Sequence, residues 1–298
     1  MKKLQFYIIW AMLKSIAILP LCVLYRISDL LYYIIRYIVH YRYAVIKGNL
    51  ERSFPEKDRR EIQRIMNSYY RHLSDCIFET IKLFHISDTE LERRINVAGG
   101  NLIESLAQDG NPIVVFLGHY GNWEWVQEVT RHYKRPAINA EIYRPTKNAI
   151  MNELMMRIRA RFTTTPIPQK QAIRHLLQMN REGKQFLVGF ISDQRPNSKN
   201  LYHWITFLNQ DTAYATGGEE IGRHLNAHFV FLKVEKPRRG HYNMTFQEMT
   251  ATDSTEKYPY TLLFLQLMEA CIREKPEYWL WSHNRWEFDR EGNTIHKK

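Results

Sequence analysis

Four short runs of apolar and β-branched residues, at 112–118 (PIVVFLG), 136–143 (PAINAEIY), 185–192 (QFLVGFIS) and 227–235 (AHFVFLKVE), are separated by stretches with helical spacing, among them 146–162 and 171–183. This alternation constrains the architecture more than any other feature of the chain. Strands joined by helical crossovers run parallel, and the helices pack back onto the faces of the sheet. The expected fold class is therefore α/β, a central, largely parallel sheet flanked by helices. In such sheets a ligand site lies beyond the carboxyl ends of the strands. Ahead of the alternation, 56–84 places Ile62, Ile65, Met66, Tyr69, Leu73 and Ile77 at helical spacing, which predicts a long amphipathic helix. A chain of 298 residues without an internal repeat or a low-complexity tract can bury one large core.

The first 45 residues have a different character. Leu4–Leu24 is apolar over nearly the length of a bilayer span, but Lys14 lies near its centre and Pro20 near its end. A central Lys costs about 2.5–3.5 kcal/mol and each Leu, Ile, Phe or Val returns about 0.3–0.6 kcal/mol, so insertion is only modestly favourable. A spanning helix and a half-inserted interfacial hairpin both fit. The following ISDLLYYIIRYIVHYRY interleaves Tyr and Arg with aliphatic residues, as in a helix at headgroup level whose basic groups snorkel. We divide the chain into a membrane-associated helical segment, 1–45, and a globular domain, 46–298. Charge points to the same partner. The formal net charge is +11, and residues 1–52 hold eight basic residues against two acids. Excess positive charge that accompanies the most apolar sequence favours an anionic membrane surface over nucleic acid. Cys22, Cys76 and Cys271 are odd in number and far apart, so neither a disulfide framework nor a zinc site is expected.

The stretch GHYGNWEW follows the first strand run, so His119 stands at a strand's carboxyl end. Gly118 and Gly121 permit a tight turn, and Asn122 is a good cap for a helix that would carry Glu124 in its first turn. From there the carboxylate can fold back on the imidazole. A carboxylate on one ring nitrogen fixes the tautomer and leaves the other nitrogen free as a general base. Such a dyad has no nucleophile of its own, which suits activation of a hydroxyl on a substrate. A capped turn with an incidental histidine is the plain alternative. No third ligand is spaced to complete a metal site, and no cofactor is expected.

Gly118-His119-Tyr120-Gly121-Asn122-Trp123-Glu124 resembles the His-x4-acid motif of the glycerolipid acyltransferases, and within them the late acyltransferases of lipid A biosynthesis. Further blocks in the same order are similar to that family: Asn49-Leu50 with Ser53-Phe54-Pro55, Tyr143-Arg144-Pro145, Ser192 to Pro196, Phe207 through Gly218-Glu219, and Pro276 to Trp286. Asn284 departs from the basic residue that the family more often shows. The resemblance implies an O-acyltransferase domain over 46–298, with acyl carrier protein as donor. The implied acceptor is a hydroxyl of a lipid A precursor, at the cytoplasmic side of a bacterial inner membrane. An acceptor among other membrane lipids, or a non-catalytic lipid-binding role, is the alternative.

The remaining candidates follow from position. Arg144 ends a strand run, where it can face a phosphate or the charge that develops on a thioester carbonyl. Asp193 and Arg195 follow FLVGFIS and can pair with each other in a pocket wall. Trp281 and Arg285, in WSHNRW, suit a rim that meets a lipid headgroup.

Overall fold

The computed structural model describes residues 2–146, 148–159, 161–162, 164–251 and 255–295. The chain opens with α1 (Lys2–Ile18) and α2 (Leu21–Tyr33), bent by 116° across Pro20. No single helix among the described residues is long and apolar enough to cross a membrane, but this bent pair together meets the length and composition of a span. After a π-helical turn at Ile34–Ile38 come α3 (Tyr43–Ser53) and the long α4 (Arg59–Lys82). A reciprocal cap starts α4: Asp58 accepts the Glu61 N–H at 2.8 Å, and Glu61 accepts the Asp58 N–H at 3.2 Å. Leu21, Leu24 and Tyr32 of α2 share the main core with Ile62, Met66 and Tyr69 of α4. Ile77, expected on the apolar face, is instead 41% exposed. The second half of α4 turns inward the polar residues Asp75, Glu79 and Lys82, all buried.

The sheet is built from β1 (Ile95–Ala98), β2 (Ile113–Leu117), β3 (Ile138–Tyr143), β4 (Thr164–Pro168), β5 (Phe186–Ile191), β8 (His228–Arg238) and β9 (His241–Glu248), in the order β1-β9-β8-β2-β5-β3-β4. A separate antiparallel hairpin pairs β6 (Trp204–Phe207) with β7 (Gln210–Ala213). α5 (Asp88–Glu92) precedes β1, the helices between strands are α6 (Gly100–Leu106), α7 (Ala149–Arg159), α8 (Ala172–Arg181) and α9 (Gly217–His224), and α10 (Pro259–Glu274) follows β9. Every pairing in the large sheet is parallel except β8 with β9, so the expected α/β class holds. All four strand runs form. The helix expected over 146–162 forms as α7; Lys147 and Ala160 of that stretch lie outside the described residues. Two strands absent from the sequence reading have weak local signals: β1 has four residues, and β4 (TTPIP) carries two prolines, which suit its place at the sheet edge.

One feature of the topology positions the site. β5 inserts between β2 and β3, so Leu117 lies opposite Ile191, and Ser192 donates its N–H to the Leu117 carbonyl at 3.1 Å. The residues two beyond each partner, His119 and Asp193, leave neighbouring parallel strands at the same level.

Candidate active site

β2 is buried along its whole length, which fixes the depth at which His119 emerges. Gly118 lets the chain leave the strand in close contact with α10: a Cβ there would lie 2.5 Å from Met268 Sδ. Gly121 has φ +64° and would meet Val234 at 2.8 Å if it carried a side chain. The turn is further tied down by Gly121 N–H to the Tyr278 carbonyl (2.9 Å) and Leu280 N–H to the His119 carbonyl (3.1 Å).

His119 Nδ1 lies 2.7 Å from Asp193 Oδ1. The other carboxylate oxygen accepts the His119 backbone N–H at 3.0 Å and Trp279 Nε1–H at 2.7 Å. Asp193 is 1% exposed. Burial pushes its carboxyl up, but the charge of the facing imidazole and these donated bonds outweigh burial and hold it below the ordinary carboxylate range. With Nδ1–H given to Asp193, Nε2 is the free base. The Gln194 amide nitrogen sits 3.2 Å from it and donates to it. Trp123 packs edge-on against the ring, 5.4 Å between centroids. Among the described residues no Ser, Thr or Cys side chain hydrogen-bonds the imidazole, so Nε2 opens onto the cleft and not onto a nucleophile of the protein.

The structure does not bring Glu124 to His119. Asn122 Oδ1 accepts the N–H groups of Glu124 (3.1 Å) and Trp125 (3.3 Å), and a 3-10 helix at Trp125–Arg131 follows in place of the expected α-helix. The turn therefore aims Glu124 at Arg159 of α7, 3.5 Å away. Arg159 also reaches Glu141 of β3 at 3.3 Å. Burial raises the Glu141 carboxyl to about 7, although Arg159 pulls it down. All three side chains, with His119, Arg144, Gln194 and Arg195, line one cleft of about 500 Å³ over the strand ends. Arg144 is exposed in that cleft.

Asp193 and Arg195 do not pair. Arg195 turns to Glu287 and lies over the Phe288 ring at 4.7 Å, because Asp193 is already saturated by His119 and Trp279. Trp281 and Arg285 are not at a rim. Trp281 is fully buried, giving its Nε1–H to the Pro276 carbonyl and packing against Phe54 and Trp279. Arg285 is 3% exposed, and none of its three guanidinium nitrogens has a hydrogen-bond partner among the described residues. Burial lowers it to about 10, while Asp193 nearby pulls it up. The participants missed in the sequence were Gln194, Trp279 and Arg159. Gln194 adjoins Asp193 after a strand and was within reach of reasoning; Trp279 stands 86 positions from its partner and gave no local sign.

A buried carboxylate that orients an imidazole, whose other nitrogen opens onto a cleft at the strand ends of an α/β sheet, has the form of a general-base site. The class becomes specific on comparison with known proteins. Residues 1–287 match the family described as bacterial lipid A biosynthesis acyltransferase, and the chain belongs to that family, so it is an acyltransferase. It is also 21% identical over 276 residues to a lipid A biosynthesis lauroyltransferase of Escherichia coli (strain K12), across 92% of this chain and 88% of that protein.

Proposed function

We propose that the protein transfers a fatty acyl chain from acyl carrier protein to a hydroxyl of a lipid A precursor, at the cytoplasmic face of the bacterial inner membrane. The observation that carries this reading is the 2.7 Å contact of Asp193 with His119 at the cleft. Family membership and the relative described as a lauroyltransferase support it. The acceptor hydroxyl displaces the Gln194 amide from Nε2 and gives its proton to His119 as its oxygen attacks the thioester carbonyl. Asp193 stabilises the imidazolium that forms. Arg144 faces the charge that develops on the carbonyl oxygen, or a phosphate of the acceptor. The tetrahedral intermediate then expels the carrier thiolate, which takes the proton back from His119. Glu124, with Arg159, forms the wall of the cleft. Arg195 lines the mouth, whereas Trp281 and Arg285 lie beneath Asp193 and set its packing and field.

A largely apolar chamber of about 80 Å³ adjoins the cleft, sharing Trp123, Glu141, Ile142 and Ile191 with it, and runs between the sheet and the 3-10 helix at Trp125–Arg131. It is the natural place for the acyl tail. Residues 1–45 serve as the membrane-associated segment and 46–298 as the acyltransferase domain. Incubation of the full-length protein with acyl carrier protein charged with defined chains, and with an under-acylated lipid A precursor, tests the reading by mass spectrometry of the product. One added acyl ester, lost in His119→Ala, is expected. Acylation of a lysophospholipid or aminolipid in preference to the precursor would reassign the acceptor, and no transfer to any lipid would overturn the reading.

A further inference from the structure

A second groove, of about 470 Å³, lies away from the active site, where α1, the end of α4 and α7 meet. Its lining carries Lys14, His85, Arg157 and Arg161 beside Trp10 and Phe84, and no carboxylate. Arg161 is occupied, by Asp88 and by the Leu83 carbonyl at 3.2 Å. Lys14 and Arg157 are less firmly engaged. Lys14 has no carboxylate partner among the described residues; its ammonium stands over the Trp10 ring, 4.8 Å from the centroid. Arg157 uses only Nε, on Glu153 at 2.9 Å, and its guanidinium stacks over Phe6 (4.8 Å) and Trp10 (5.6 Å). The Arg157–Glu153 pair is open to water, with side chains 40% and 51% exposed, so it holds the arginine weakly.

The position of the groove on α1 identifies what it meets. At 3.6 residues per turn, Leu4, Ile8 and Met12 form one stripe, exposed by 67%, 59% and 54%. Phe6 and Ala17, on the opposite side, are buried against the protein. Trp10 and Lys14 fall on the shoulder between the two. An exposed apolar stripe that enters the acyl region of a bilayer places its shoulder at headgroup depth, where tryptophan and snorkelling cations are at home. We propose that this groove binds the phosphate of an anionic glycerophospholipid, with Lys14 and the terminal nitrogens of Arg157 as its ligands and Trp10 as its wall. Such a site would fix the rotation of α1 on the membrane, and with it the direction in which the catalytic cleft opens. An acidic protein partner is disfavoured because the apolar stripe continues from the same helix and demands hydrocarbon.

The test reads lipid binding alone, so it stands or falls apart from the acyl-transfer reading. Flotation of the full-length protein with phosphatidylcholine vesicles, with and without phosphatidylglycerol, is compared for the wild type, for Lys14→Gln/Arg157→Gln, and for the charge-matched control Lys184→Gln/Arg290→Gln. We expect the groove variant to lose the preference for phosphatidylglycerol by about fivefold for each charge removed while keeping its binding to neutral vesicles, with the control unchanged. Dihexanoyl phosphatidylglycerol, below its micelle concentration, should titrate the wild type to saturation and fail to titrate the groove variant. Equal losses in the two variants, or binding that never saturates, would reduce the groove to diffuse surface charge. Intact vesicle preference with weaker affinity for the acyl carrier protein, or for the phosphorylated acceptor, would assign the groove to that partner and overturn the proposal.

Discussion

The cleft beside His119 is lined by two acids, Glu124 and Glu141, yet the acid that touches the imidazole is the buried Asp193, outside that lining. Asp193 contacts Nδ1 at 2.7 Å, whereas Glu124 is held by Arg159 at 3.5 Å. Asp193→Asn should therefore be nearly as damaging as His119→Ala, each losing about 10²–10⁴-fold in transfer, because the amide can present the wrong hydrogen-bonding partner to Nδ1 and carries no charge to balance the imidazolium. The double variant should be little worse than either alone, since residues that act as a unit give non-additive losses. Glu124→Gln removes one partly exposed ion pair and should cost less than about tenfold. Steady-state kinetics on folded variants decide between the acids: a larger loss in Glu124→Gln than in Asp193→Asn would restore Glu124 as the partner of the base. Gly189, in the middle of β5, offers a second residue-scale test. A Cβ there would meet only Leu117 Cδ2, at 3.7 Å, and would project into the apolar chamber. Gly189→Leu should fold and shift the preferred donor to shorter acyl chains, read from product masses across a donor series. An unchanged length profile would show that the tail lies elsewhere.

α4 is the element that joins the N-terminal helices to the turn at 119–125. Glu79, fully buried, accepts Tyr25 Oη–H of α2 at 2.9 Å, Asn122 Nδ2–H of the turn at 2.7 Å and Tyr242 Oη–H of β9 at 2.7 Å. Its carbonyl takes Trp125 Nε1–H at 3.0 Å. One turn earlier Asp75 accepts Ser28 Oγ–H at 2.7 Å and pairs with Arg239, while His72 meets the Gly121 carbonyl at 3.2 Å. Glu79→Gln puts an amide donor where three buried donors converge, leaving at least one unsatisfied at a cost of about 1–3 kcal/mol. Hydrogen exchange should then speed up in both 21–33 and 119–125, together with a lower melting temperature. Faster exchange confined to α4 would mean that the helix is only packed between those two segments and does not tie them.

At the scale of the whole molecule, buried ionisable groups set how stability varies with pH. Burial raises Glu128 and Glu141 to about 7, so each binds its proton more tightly when folded. Their contribution is present below the unfolded carboxyl value of about 4.3 and is lost as pH rises through about 7. Buried His283, pushed down to about 3, and His72, also pushed down, act the opposite way and cost stability as pH falls below about 6.5. Comparison with a Gln variant isolates the carboxyls. In denaturant titrations from pH 4.5 to 8, Glu141→Gln should gain on the wild type steadily as pH rises, and a constant difference would show that Glu141 stays ionised throughout. The same division between local and non-local causes separates what the sequence determined from what it did not. Period and composition, which act over a few residues, specified the four parallel strands, α4 as an amphipathic helix, the apolar and basic first helices, and a histidine at a strand's end. Local signals also placed Asn122 as a cap, but they could not foresee that the turn would deliver Glu124 to Arg159. The partner of His119 lies 74 positions away and was decided by β5 inserting beside β2, which sets Leu117 opposite Ile191. Burial of Trp281 and Arg285 was decided in the same way, by the packing of the C-terminal segment against elements distant in the chain, Phe54 among them. Strand order and burial arise from packing among elements distant in the chain, and for that reason only the tertiary structure settled which acid touches His119.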